Sequence, residues 1–233
     1  MLVRFLPLLL LTLILAACAP STDEGPRVTV DQLTEAVSFY PQETGAAWQY
    51  LPDSARLNEA RLVRFVAGPT ILAGELVTGS RLVGRGIDEE NFRTYGPDGV
   101  HLVRTTKPGS IIDFSPPVQE FPAQSQLAMG ASWGGETSAT VRYPEARAEN
   151  RETSLDIRYS YTVVDRRSAR VPAGEFDIFV IDFHSVTVDD EGNQLEELTQ
   201  TTWFVPYVGE VRTENGYFLV ETNFIGPEEP QQE

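Results

Sequence analysis

The residue types that could do chemistry are few and far apart. Gly130-Ala-Ser132-Trp-Gly134 matches G-x-S-x-G, the pattern that holds a serine nucleophile on a sharp strand-to-helix turn. His184 follows downstream, with Asp165, Asp177 and Asp182 between, in the Ser–Asp–His order of an acyl-transfer triad. The flanks argue against that chemistry. Residues 135–141 read as loop then strand rather than helix, and His184 sits inside the strand-like run 181–188. The only other histidine is His101, and neither has a second His at ligand spacing, so no metal site is expected. Residues 189–193 lack the terminal bidentate Glu of a calcium loop and read as a solvated hairpin turn. Gly84-Arg-Gly86 lacks the third glycine and the strand–helix setting of a phosphate cradle. No cofactor is expected.

The remaining reactive side chain is Cys18, the one cysteine of the chain. Ahead of it stand Arg4 and an apolar run, Phe5 to Ala17, ending in small residues. A basic start, a short apolar core and a small-residue end make a signal peptide. The run falls short of the roughly 20 residues that cross a bilayer as a helix. Leu15-Ala16-Ala17-Cys18 resembles the lipobox of bacterial lipoproteins. That resemblance implies lipid on the Cys18 thiol, cleavage before it and acylation of the new amino terminus. Stable anchoring needs more than one acyl chain. No Asp follows Cys18 to resemble the inner-membrane retention signal of enteric bacteria, so the expected site is an outer membrane where the host has one.

The elements that would position any site are mostly strands. Residues 18–27 read as a lipidated flexible tether, 28–225 as a single β-rich domain, and 226–233 as a disordered acidic tail. Asp31–Phe39 is the one helix candidate, capped by Asp31 with Leu33, Ala36 and Val37 on one face. Short β-branched and aromatic segments follow: 62–67, 70–78, 81–87, 91–95 and 100–105. Gly96-Pro-Asp-Gly99 is a hairpin turn. Ser115–Gln126 carries three prolines and reads as a loop. Segments 138–143, 154–164, 176–188, 195–205, 208–213 and 217–224 continue the strand pattern. From Leu155 to Val163, apolar and polar residues alternate with the period of a half-buried strand. The composition predicts a mainly β, antiparallel fold: a curved sheet forming a half-barrel or barrel, with a β-sandwich as the alternative. One internal echo stands out: Phe39-Tyr-Pro41 before Gly45-Ala-Ala-Trp48, and Phe121-Pro122 before Gly130-Ala-Ser-Trp133.

Three motifs carry a wider resemblance. Tyr40-Pro41…Gly45-x-x-Trp48-x-Tyr50, Val171-Pro-Ala-Gly174-x-Phe176 and Trp203-x-x-Pro206-x-Val208-Gly209-x-Val211 occur in that order. They are similar to motifs of uncharacterised bacterial envelope lipoproteins and periplasmic proteins. The resemblance implies a curved antiparallel sheet like the half-barrel of lipoprotein carriers, and it brings no reaction. Gly174 is expected at positive φ, Phe176 in the core and Trp203 on an inner face. Trp48, Trp133, Trp203 and Phe176 are core aromatics or, on the other reading, the lining of a ligand pocket.

The formal charge of −16, with 34 acidic residues against 18 basic, excludes a phosphate-backbone partner, so no nucleic acid is expected. Three readings follow. The first is a non-catalytic envelope lipoprotein, bound to a membrane through Cys18, whose β-domain binds or scaffolds an envelope protein. The second is a carrier or sensor of an apolar ligand, a lipid or a lipoprotein acyl chain. The third and weakest is a serine hydrolase using Ser132 and His184. Cys18→Ser tests the anchor. The variant should leave the membrane fraction or stay unprocessed, as read by fractionation and the mass of the amino terminus. A normally processed variant that still sediments with membranes would contradict the assignment.

Overall fold

The computed structural model describes residues 32–33, 36–147, 151–189 and 191–224. The signal segment, Cys18, Asp31 and the acidic tail lie outside the described residues. Twelve strands follow in chain order: β1 (Ala47–Pro52), β2 (Leu62–Leu72), β3 (Glu75–Gly84), β4 (Ile87–Gly96), β5 (Gly99–Lys107), β6 (Ser110–Pro122), β7 (Ser132–Arg142), β8 (Glu152–Val171), β9 (Gly174–Val188), β10 (Gln194–Val205), β11 (Gly209–Arg212) and β12 (Tyr217–Thr222). Each pairs antiparallel with its sequence neighbours, and β1 also pairs with β12, Trp48 opposite Thr222 and Leu51 opposite Phe218. The sheet therefore closes into an up-and-down barrel. Closure corrects the half-barrel and excludes the sandwich: the strands that would be free edges bond each other, which removes unpaired backbone from solvent.

Two further expectations fail for local reasons. The helix over Asp31–Phe39 is absent among its described residues. The Leu33 N–H bonds the Asn223 carbonyl instead, and Leu33 and Val37 pack in the apolar cluster around Trp48. Its described residues, 32–33 and 36–39, form a non-helical strap, because tertiary burial of Leu33 and Val37 outweighs a weak helical preference. The Ser115–Gln126 loop is also absent: β6 runs through Pro116 and Pro117 to Pro122, and only Gln124–Gln126 form a 3-10 turn. The prolines fit because the β5–β6 register shifts between Leu102 and Arg104, so ladder bonds are already missing there. The segments 70–78 and 81–87 each cross a tight turn, at Ala73-Gly74 and Arg85-Gly86, and so divide between two strands.

The echo in the sequence has a structural counterpart. Gly45 N–H bonds Val66 O and Val66 N–H bonds Ala46 O. Gly130 N–H bonds Val163 O and Val163 N–H bonds Ala131 O. The preceding turns match as well, Ala46 N–H to Glu43 O and Ala131 N–H to Ala128 O. The barrel is thus two six-stranded halves that open in the same way, β1–β6 and β7–β12. Each tryptophan braces the other half: Trp48 Nε1 donates to Val208 O at 2.6 Å and Trp133 Nε1 to Glu120 O at 3.3 Å.

One end of the barrel is plugged. Strap residues Phe39 and Tyr40 stack with Phe121 and Phe204, with centroids 5.0 Å apart for Tyr40–Phe121 and 4.8 Å for Phe121–Phe204. The Tyr40 hydroxyl donates to Pro122 O at 2.8 Å. The β8–β9 hairpin overhangs its neighbours at this end, and the Ala173 N–H bonds Leu219 O on β12. Gly174 takes φ +146°, as its turn requires, and Phe176 packs half-buried against the cluster of Val171, Ile178 and Leu219.

The three sequence motifs meet at this closing seam. Tyr50 OH donates to Glu210 O at 3.1 Å, and Tyr207 N–H bonds Phe39 O. Gly209 has φ +93°, and a Cβ there would lie 3.3 Å from the Trp48 indole nitrogen. Gly209→Ala should therefore destabilise the barrel by about 2 kcal/mol, from backbone strain and displacement of the indole. Urea denaturation reads it; an unchanged midpoint would contradict the seam's role.

Candidate functional site: the barrel lumen

Roughly eight strands make a barrel that its own side chains can fill. With twelve, this one keeps a cavity of about 450 Å³. Its floor is the aromatic plug, with Tyr40, Phe121 and Phe204 exposed to it. Its mouth lies at the opposite end, among the β3–β4, β5–β6, β9–β10 and β11–β12 turns, where Glu89, Lys107, Glu196 and Glu214 face inward.

The period-two pleat gives the lumen two unlike walls. On β8, β9 and β10 the inward residues include Ile157, Tyr159, Tyr161, Ile181, Phe183, Leu198 and Phe204. With Leu102 of β5 and Ile112 and Phe114 of β6 they make a largely apolar wall, interrupted by Ser185 and Thr187 of β9 and Gln200 and Thr202 of β10. β4 presents Glu89, Asn91, Arg93 and Tyr95, and β2 presents Arg64. Arg93 grips Glu120 through Nε at 2.5 Å and Nη2 at 3.2 Å, and donates through Nη1 to Ser80 Oγ at 2.7 Å. Arg64 Nη2 lies 2.5 Å from Glu210 Oε2. Lys107 Nζ lies 3.0 Å from Glu89 Oε2, and Thr105 Oγ1 donates to Asn91 Oδ1 at 2.6 Å. Burial works against the charge on Arg64 and Arg93, but Glu210 and Glu120 outweigh it and hold both guanidiniums charged. Burial also raises the Tyr161 and Tyr95 hydroxyls, so both stay protonated.

Glu214 differs from these paired groups. It sits in the β11–β12 turn at the mouth, reached by water yet ringed by protein. Enclosure first, and Glu210 second, push its carboxyl up to about 7.

The structure separates the residues that sequence reasoning had grouped. Of the four candidate aromatics, Trp48 alone borders the lumen. Trp133 stacks on Tyr161 at 5.4 Å beside the plug. Trp203 does not border the lumen: it pairs across from Val180 and Arg212, half-buried against the cluster of Val180, Val205 and Val211 and under the guanidiniums of Arg167 and Arg212, while Phe204 lines the cavity. Ser132 opens β7 rather than a helix, and its hydroxyl donates to Tyr161 O at 2.9 Å. His184 Nε2 pairs instead with Glu197 Oε1 at 2.8 Å, so no Ser–His hydrogen bond forms. Asp189 accepts from the backbone of Glu191 and Asn193, as a hairpin turn does. Among the described residues no group of three His, Cys, Asp or Glu side chains could hold a metal ion.

The interior charges were missed from sequence. Their signal is Glu89-x-Asn91-x-Arg93-x-Tyr95, a polar set at strand period. In a filled barrel that face would be the solvent side, so the pattern alone does not say that it faces a lumen.

No protein-family model matches the sequence, and no curated protein matches it. Among solved structures, the chain is similar to a Bacteroides fragilis protein assigned as exported with a YmcC-like fold: 11% identity, TM-score 0.44, covering 80% of this chain and 99% of that one. It is also similar to a Parabacteroides distasonis protein assigned as a lipoprotein, with 16% identity, TM-score 0.40, and coverage of 81% and 99%. Likeness at this level transfers no function.

The raised Glu214 carboxyl makes stability depend on pH. Between its ordinary value of 4.5 and about 7 the folded state holds a proton that the unfolded state has lost. Stability from this group therefore falls as pH rises through that window. Glu214→Gln should remove the fall: its melting temperature relative to the parent should be higher at pH 8 than at pH 5. An equal difference at both values would contradict the placement of the carboxyl.

Proposed function

We propose that the chain is a lipid-anchored envelope lipoprotein whose barrel carries an elongated apolar or amphipathic ligand in its lumen. The observation that carries this reading is the cavity of about 450 Å³, open at one end and largely apolar along one wall. That volume lies in the range of small-molecule sites, roughly 300–1,000 Å³. A scaffold would have no use for an unfilled interior, since packed interiors gain dispersion contacts that a void forfeits. The lipobox-like sequence at Cys18 supports export and anchoring. Leu33 is tied to Asn223 at the plugged end, opposite the mouth. Ser132 and His184, each bonded elsewhere, give hydrolysis no support.

Native mass spectrometry of the full lipoprotein, extracted from membranes in a mild detergent, tests the reading. One extra mass per chain is expected, retained after the detergent is stripped and lost on unfolding. A bare protein mass under conditions that preserve other lipoprotein–lipid complexes would contradict it.

A further inference from the structure

The charge balance of the lumen says more about the ligand, and this step rests on the carrier reading. Three cations line the cavity, and each already has a carboxylate: Arg64 with Glu210 at 2.5 Å, Arg93 with Glu120 at 2.5 Å, and Lys107 with Glu89 at 3.0 Å. Five carboxylates line it, so two exceed the cations. These are Glu196 and Glu214, both at the mouth. Among the described residues neither has an ion pair, and Glu214 has only its neighbour's amide, Asn215 Nδ2, at 3.5 Å.

An anionic head group entering this lumen would find every lining cation already paired, Lys107 at the mouth with Glu89 included. To take Arg64 or Arg93 it would have to displace a carboxylate and leave that carboxylate unpaired, which costs more than it returns. It would also pass Glu196 and Glu214 at the mouth, both of which repel it once the pH is above about 7 and Glu214 is ionised. A cationic head meets the opposite situation. It supplies the charge the mouth lacks without breaking an existing pair. Directly below Glu196 on the same inward face of β10 comes Leu198; Ile157 stands level with Glu196 across Thr187, and Phe183 lies deeper, between Tyr161 and Gln200. Carboxylate at the rim and hydrocarbon beneath it match an alkyl chain bearing a positive head.

We propose that the lumen takes a cationic amphiphile, with its alkyl chain against Ile157, Phe183 and Leu198 and its positive head at the mouth by Glu214 and Glu196. Mouth, wall and charge excess lie in one cavity. An acidic surface alone would attract cations without selecting a chain.

The test compares three probes of one chain length: decyltrimethylammonium, decanoate and 1-decanol. All are kept below the concentrations at which they aggregate. The protein is residues 19–233, which retain the whole self-closed barrel and its strap; circular dichroism and a cooperative melt verify the fold. Isothermal titration calorimetry at pH 8, where Glu214 is ionised, should show decyltrimethylammonium binding one per chain, about tenfold tighter than decanoate, a difference of about 1.4 kcal/mol. Glu214→Gln should bring the affinities for decyltrimethylammonium and decanol closer together by several-fold. Leu198→Trp, which fills the apolar wall, should weaken all three probes. Decanoate binding as tightly as the cation overturns the inference and leaves the carrier reading in place. So does cation binding that survives Leu198→Trp in a folded protein, since it would be attraction to the acidic surface. Failure of all three probes to bind overturns the carrier reading together with the inference.

Discussion

The barrel depends on one constraint: β1 and β12, separated by almost the whole chain, must find each other. Their pairing alone is short, and β11 meets β12 through a single residue pair, Arg212 with Phe218. Side chains supply what the ladder lacks. Trp48 and Tyr50 reach across β12 to the carbonyls of Val208 and Glu210, and the indole rests on Gly209, where a side chain would intrude. A buried carbonyl left without a donor costs about 1–3 kcal/mol, so these two bonds bind the seam in a way that apolar packing alone would not. The overhanging β8–β9 hairpin then places Ala173 beside β12 and supplies a donor to Leu219 O.

Closure at twelve strands has a consequence for the interior. Side chains from the wall cannot reach the axis everywhere, and the chain treats the two ends differently. At one end the strap brings Phe39 and Tyr40 against Phe204, and these rings pack across the barrel. Toward the other end nothing among the described residues inserts, and the wall carries ion pairs that would be costly in a dry core. Arg93 and Glu120 satisfy each other bidentately with Ser80 as a third partner, the arrangement under which enclosed charges are tolerated. Paired charges on one side and hydrocarbon on the other leave a lumen with a direction, which a uniform apolar core lacks.

Much of this was legible in the residues. Alternation in 154–164 and the Gly96–Gly99 turn gave strands and a hairpin where they occur, in β8 and between β4 and β5. The repeated Gly-Ala-x-Trp signalled the two halves. What sequence could not supply was pairing between distant strands. An open curved sheet and a closed barrel share the same alternation, and only the β1–β12 register separates them. The Trp203–Phe204 pair shows the same limit. Both are large and apolar, and only the register of β10 against β9 puts Phe204, with Leu198, Gln200 and Thr202, on the lumen side. Ser132 failed in the other direction: its motif was present, but the strand it opens gives its hydroxyl a backbone acceptor. The strap misled because Leu33 and Val37 share a helical face and are equally buried by a non-helical chain.

The central claim is that the lumen is an open, ligand-holding space. A crystal structure of the protein purified from its own cells tests it most directly. The account predicts continuous non-protein density along Phe183 and Leu198, ending at the mouth beside Glu214. Side chains collapsed across the lumen, with no path from the mouth to the Tyr40–Phe121–Phe204 floor, would contradict it.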